Sequence, residues 1–124
     1  MRILLADDQS KVRFALRTLL ERQPGLEIVG EATGVEALCE QIRATYPDLL
    51  LLDWELPGNV ASGIVSRLRT IHPALRVIAL SGRSEARRAA LRAGVDAFVS
   101  KSDPPGRLLL AIQEASLDTL ANGG

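Results

Sequence analysis

Five short apolar runs punctuate the chain: ILLA (3–6), LEIVGEA (26–32), LLLLD (49–53), RVIAL (76–80) and AFVS (97–100). Each has the length of a strand, and longer stretches of helical period lie between them, an alternation that builds β-α-β units around a parallel sheet. The run of four leucines shows no polar alternation, which predicts a central strand covered on both faces. Val12, Leu16, Leu19 and Leu20 mark one face of a first helix, stopped by Pro24 and Gly25. A second helix is expected over about residues 34–46, before Pro47, and a third over about 62–71, before Pro73. The fourth, SEARRAALRAG, offers Ser84 as N-cap and Gly94 as stop. The fifth starts near Pro104 or Pro105 and is expected to turn Leu108, Leu109, Ile112 and Leu117 inward. The pattern predicts one α/β domain over residues 1–120, with ANGG (121–124) as a fraying end or the start of a linker.

Composition narrows the function classes. The chain has 124 residues and 47% apolar content, enough for one core. Fifteen Lys plus Arg balance fifteen Asp plus Glu, so no net field favours nucleic acid or an anionic membrane. No stretch approaches the roughly 20 apolar residues needed to cross a bilayer, and a soluble, cytoplasmic protein is expected. The single cysteine, Cys39, cannot form an internal disulfide, and in its helical segment it reads as a packed or partly exposed thiol. The one histidine, His72, precedes Pro73 at a helix end and is expected at the surface or as a cap rather than as a catalytic base.

Chemistry gathers at the strand ends, where an open parallel sheet binds ligands. The first strand ends in Asp7 and Asp8, the third in Asp53, the fourth in Ser81 and Gly82, and the fifth in Lys101. Two carboxylates about 4 Å apart repel by on the order of 4 kcal/mol at an effective dielectric of about 20, so a divalent cation or raised pKa values must relieve the cluster. An oxygen-only ligand set favours Mg²⁺. Mg²⁺ together with Lys101 would make a cationic cradle for a phosphoryl group, and Asp53 would be the nucleophile, forming an acyl phosphate.

The acidic pair in ILLADDQSKVR, LLLLDWELPG, the hydroxyl-small pair in VIALSG and the lysine in DAFVSKSDPPGRLLLAI stand in this order, each at a strand end. In that combination the chain resembles the response-regulator receiver domains of two-component signalling over essentially its whole length. The resemblance implies a flavodoxin-like, doubly wound (βα)5 fold with a five-stranded parallel sheet of order 2-1-3-4-5 and helices on both faces. It makes Asp53 the phosphoacceptor and Asp8 a direct Mg²⁺ ligand, with Asp7 helping through water and the Glu55 backbone carbonyl completing the metal site. It further implies that Lys101 and the Gly82 backbone bind the phosphoryl group, that Ser81 turns inward to hydrogen-bond it, and that Phe98 is the aromatic switch. A receiver of this kind is no enzyme in its own right beyond phosphorylating itself from a donor and slowly losing the group. The implied partners are a sensor histidine kinase, a second copy of the chain, and a tethered output. In KSDPPG the proline lags behind the lysine, as in receivers of NarL/LuxR-type transcription regulators, whose output is a C-terminal helix-turn-helix domain.

Two other functions compete with this one. A small Mg²⁺-dependent phosphatase would use Asp53 as nucleophile and Glu55 as general acid, but 124 residues leave no substrate cap. A non-phosphorylated interaction module on the same fold is motivated by PGNVASG, where Gly63 falls later than the family's compact turn after Pro57 and Gly58 leads one to expect; the loop over 57–63 is thus expected to be extended.

Overall fold

Five strands, β1 (Arg2–Ala6), β2 (Glu27–Ala32), β3 (Leu49–Asp53), β4 (Arg76–Ser81) and β5 (Ala97–Ser100), form one parallel sheet in the order β2-β1-β3-β4-β5 in the computed structural model. Helices α1 (Ser10–Glu21), α2 (Val35–Thr45), α3 (Gly63–Ile71), α4 (Arg87–Arg92) and α5 (Pro105–Gly123) fill the connections, and a single 3₁₀ turn, Ser84–Ala86, leads into α4. The structure describes residues 1–58 and 63–123, with side chains up to residue 117. The extended loop expected over 57–63 therefore lies, for residues 59–62, outside the described residues.

The leucine run is the centre of the molecule. All five residues of β3 are buried, and successive side chains alternate between two cores as the strand period requires. Leu50 and Leu52 join Leu4, Ala6, Val77 and Ala79 under Leu38, Ile42, Val65 and Leu68, the buried faces of α2 and α3. Leu49 and Leu51 join Ile3, Leu5, Ile78 and Leu80 under Leu20 of α1 and Leu108 and Ile112 of α5. Helices thus cover both faces of the sheet, which explains why the strand lacks polar alternation. Each such leucine contributes about 1.5–3 kcal/mol by leaving water.

Several local expectations need correction. Leu117 is exposed, because the inward face of α5 runs through Leu108, Ile112 and Ala115; at roughly 100° per residue, Leu117 stands half a turn from Leu108. Ser84 does not cap a helix through its side chain, since Arg83 holds the N-cap position of the 3₁₀ turn and no side-chain cap bond forms. Gly94 does end the fourth helical segment, at φ 103°, where a side chain would be strained. Cys39 is a fully buried free thiol.

His72 is buried, not superficial. Its ring stacks on Tyr46 with centroids 3.7 Å apart, and its Nε2 hydrogen-bonds the Pro47 carbonyl at 2.7 Å. Tyr46 itself holds φ 45° as the left-handed C-cap of α2. The pair closes the sheet at the end remote from Asp53, tying the end of α3 to the end of α2.

Replacing Leu52 by Ala deletes methyl groups from the fully buried side of β3 and is expected to destabilise the protein by about 2–5 kcal/mol, read as a lower midpoint in urea unfolding at unchanged slope.

Candidate functional site

Parallel strands deliver their ends to one edge, where β3 and β4 end on Asp53 and Ser81 and where Asp7 and Lys101 directly follow β1 and β5. Leucines 49–52 anchor the main chain of β3 in both cores, so Asp53 emerges from a rigid strand at 3% exposure. Asp7 is buried as well, at 1%, while Asp8 is exposed. Carboxylate oxygens of Asp7, Asp8 and Asp53 lie within 4.8 Å of one another. The structure thus brings together the three carboxylates that the sequence places at strand ends.

Lys101 answers the charge. Its Nζ donates to Asp7 Oδ2 at 3.0 Å and lies 3.3 Å from Asp53 Oδ1. The Lys101 backbone N–H donates to the Ser81 carbonyl, fixing the root of the side chain beside β4. Asp53 Oδ1 also accepts the backbone N–H of Glu55 at 3.0 Å. Asp7 is held at several points: its N–H reaches the Ala32 carbonyl of β2, and its Oδ1 accepts the N–H of Gln9 at 2.9 Å.

Electrostatics at the two groups oppose each other. Burial raises the Asp53 carboxyl above its ordinary value, and the neighbouring charge of Asp7 adds to the rise; the Glu55 N–H and Lys101 counter this without cancelling it. Burial alone would lower the Lys101 ammonium, but the hydrogen bond to Asp7 and the charges of Asp53 and Asp7 outweigh it and raise it. Lys101 is therefore a firm cation, whereas Asp53 is a reluctant anion.

Ser81 has no exposed surface. Its hydroxyl donates to the Glu55 carboxylate, with both oxygens at 2.9 Å, and accepts the Arg83 N–H at 3.0 Å. The sequence does not announce this use of the Glu55 side chain as acceptor for Ser81, since Glu55 enters there through its backbone carbonyl or, in the phosphatase reading, as a general acid. Gly82 follows in an open position, where an added Cβ would meet nothing within 4 Å. Phe98 is 7% exposed in β5, and the Arg87 guanidinium lies 5.5 Å from its ring centroid. Trp54 is partly buried, packing against the core beneath α2 and α3. Gly58, at φ 86°, brings the chain against α2: a Cβ there would stand 3.2 Å from Val35, whose N–H donates to the Pro57 carbonyl.

The response regulator receiver domain pattern matches residues 3–113 of the chain. The chain belongs to this family. Among curated relatives, the nitrate/nitrite response regulator protein NarL of Escherichia coli K12 is 32% identical over 116 residues, covering 92% of this receiver and 54% of NarL. A protein-glutamate methylesterase/protein-glutamine glutaminase of Myxococcus xanthus is 38% identical over 105 residues, 82% of this chain and 30% of that one. Among solved structures, a LuxR-family two-component response regulator from Aurantimonas sp. SI85-9A1 superposes with TM-score 0.83 at 33% identity, covering 91% of this chain and 82% of the other. The receiver spans about half the length of NarL and other curated relatives it matches. Its fold, with sheet order 2-1-3-4-5, is the fold of these receivers.

A raised pKa fixes the sign of a stability effect. The folded receiver holds the Asp53 proton more tightly than the unfolded chain does, so this group favours folding most below its ordinary value of 3.8 and progressively less as pH rises to the raised value. In metal-free buffer at neutral pH, Asp53→Asn is therefore expected to raise the thermal midpoint, and the gain is expected to shrink as pH falls through that window. Scanning calorimetry at several pH values measures both.

Proposed function

We propose that Asp53 is the phosphoacceptor of this receiver and that a sensor histidine kinase is the donor. The observation that carries this reading is one buried carboxylate at a strand end with a lysine ammonium 3.3 Å from one oxygen and two further carboxylates clustered beside it. An Asp53 oxygen would attack the phosphorus of a phosphohistidine; the P–O bond forms as the P–N bond breaks, and the departing imidazole nitrogen keeps the electron pair and is protonated by solvent. Lys101 would then pair with a phosphoryl oxygen, and the Gly82 backbone would bind another.

The acidic cluster fits Mg²⁺ chemically, being made of hard oxygen donors without His or Cys. Asp8 and Asp53 would hold the ion directly, Asp7 through water, and the Glu55 carbonyl would complete the set. Bound there, Mg²⁺ would neutralise charge on the carboxylates and on the phosphoryl group. The requirement for an ionised Asp53 makes the transfer weaken on acidification.

Phosphorylation would act as a switch by recruiting Ser81. To bond a phosphoryl oxygen its hydroxyl must leave Glu55, and the movement of the β4–α4 connection would pass to Phe98 and the face of α4, β5 and α5. In this reading the protein signals and catalyses nothing beyond its own phosphorylation and slow dephosphorylation. NarL and the ExaE protein of Pseudomonas putida carry about as much chain again, and ExaE is named a transcriptional activator. We accordingly read residues 1–120 as the receiver and 121–124 as its tail or the start of a linker, with a C-terminal helix-turn-helix output and a second copy of the chain as partners and the cytoplasm as its place. No helix among the described residues is long and apolar enough to cross a membrane.

Incubation with a small phosphodonor such as phosphoramidate and Mg²⁺ is expected to add one phosphoryl group per chain, seen by intact mass. Asp53→Asn should abolish it; labelling of Asp53→Asn at the parent's rate would refute the assignment, and continuous turnover of a phosphoester would instead favour a phosphatase.

A further inference from the structure

Behind the acidic cluster lies a charged arrangement that the reading above does not use. Arg13, on the first turns of α1, donates from Nη1 to the backbone carbonyl of Asp7 at 2.6 Å and from Nε to Glu31 Oε1 of β2 at 2.7 Å. Glu31 is in turn held by Arg17, whose Nη2 reaches Oε2 at 2.6 Å and whose Nη1 binds Glu21 at 2.8 Å. Burial would raise the Glu31 carboxyl, but hydrogen bonds from Arg17 and Arg13 outweigh it and hold it below its ordinary value. Arg13 is thus clamped by an ionised partner while one of its donors remains committed to a carbonyl.

That carbonyl has a particular place in the chain. It belongs to the peptide unit joining Asp7 to Asp8, and a peptide unit is planar, so holding its oxygen fixes the direction in which the Asp8 backbone leaves. Asp7 has further anchors, at its N–H, at Oδ1 and at Oδ2. Asp8, by contrast, is exposed, and the peptide plane before it sets where its side chain starts. We propose that Arg13, clamped by Glu31, is a positioning residue for the cation site: by holding the Asp7 carbonyl it sets the peptide plane that aims Asp8 at the cluster. The inference rests on the cation-binding reading given above. Partners that orient metal ligands commonly govern affinity by about 10–100-fold.

Sign separates positioning from a simple field effect. Arg13 is a cation near carboxylates, so on Coulomb's law alone its removal would tighten binding of another cation. Positioning demands the opposite. Arg17 provides the structural control, because it shares Glu31 but does not touch the Asp7 carbonyl.

Isothermal titration with Mg²⁺ at neutral pH, on the whole chain, tests this. Arg13→Met is expected to raise the Mg²⁺ Kd roughly tenfold. Arg13→Lys, which keeps the charge and the fold but cannot serve two acceptors as the guanidinium fork does, should raise it about threefold. Arg17→Met should lower the thermal midpoint and leave the Kd unchanged. Parent affinity or tighter binding in Arg13→Met would overturn the proposal, as would equal weakening in Arg17→Met; should Arg13→Met fail to fold, parent affinity in Arg13→Lys would overturn it. If the parent binds Mg²⁺ and only the Arg13 effect is missing, the cation site stands and this inference alone falls, whereas a parent that binds no Mg²⁺ overturns both.

Discussion

Asp53 and Asp7 are each almost completely withdrawn from water, at 3% and 1% exposure, with their oxygens in one cluster. Two like charges so placed are costly unless a cation lies between them or a proton neutralises one. Lys101 supplies the first remedy through contacts to both, while burial, with the charge of Asp7 adding to it, still holds the Asp53 carboxyl above its ordinary value. Much of the architecture serves to impose this arrangement. The buried leucines of β3 prevent Asp53 from retreating, the β1–α1 turn grips Asp7, and β5 ends where its lysine can reach both. The clustered negative charge is what, in the proposed function, would draw a divalent cation to the site and, with the cation bound, a phosphoryl group.

The same logic couples the site to the rest of the receiver. Ser81 is buried on the neighbouring strand with its hydroxyl engaged by Glu55, two residues beyond Asp53. In the proposed switch, a group added to Asp53 would compete for Ser81 against a partner on its own loop, and the loop and the β4–α4 connection would respond together. Phe98 lies one strand further on, buried beneath Arg87. In the proposed switch, the path from Asp53 to the α4, β5 and α5 face would run through these two residues, Ser81 of β4 and Phe98 of β5.

Most of the fold and of the acidic cluster is legible in the sequence because it depends on period and position along single strands. β3 and β5 were bounded to the residue, LLLLD and AFVS, and once the sheet is parallel their ends must meet. What escaped depends on partners distant in the chain or on angle around a helix. His72 reads locally as a surface residue before a proline, yet the Pro47 carbonyl and the Tyr46 ring, from the end of another helix, make it interior. Leu117 follows the apolar character of α5 but not its phase. Arg13 and Glu31 carried no local signal, since two charges eighteen residues apart declare a pairing only when β2 is laid beside α1.

Trp54, joined directly to Asp53, reports on the site without any label. Its fluorescence, followed while Mg²⁺ and then beryllofluoride are added, tests most directly whether the buried carboxylate cluster is a cation and phosphoryl centre. Two successive saturable changes are expected in the parent, the second dependent on Mg²⁺ and absent in Asp53→Asn. A spectrum that stays unchanged through both additions, or a beryllofluoride response that survives Asp53→Asn, would contradict the account.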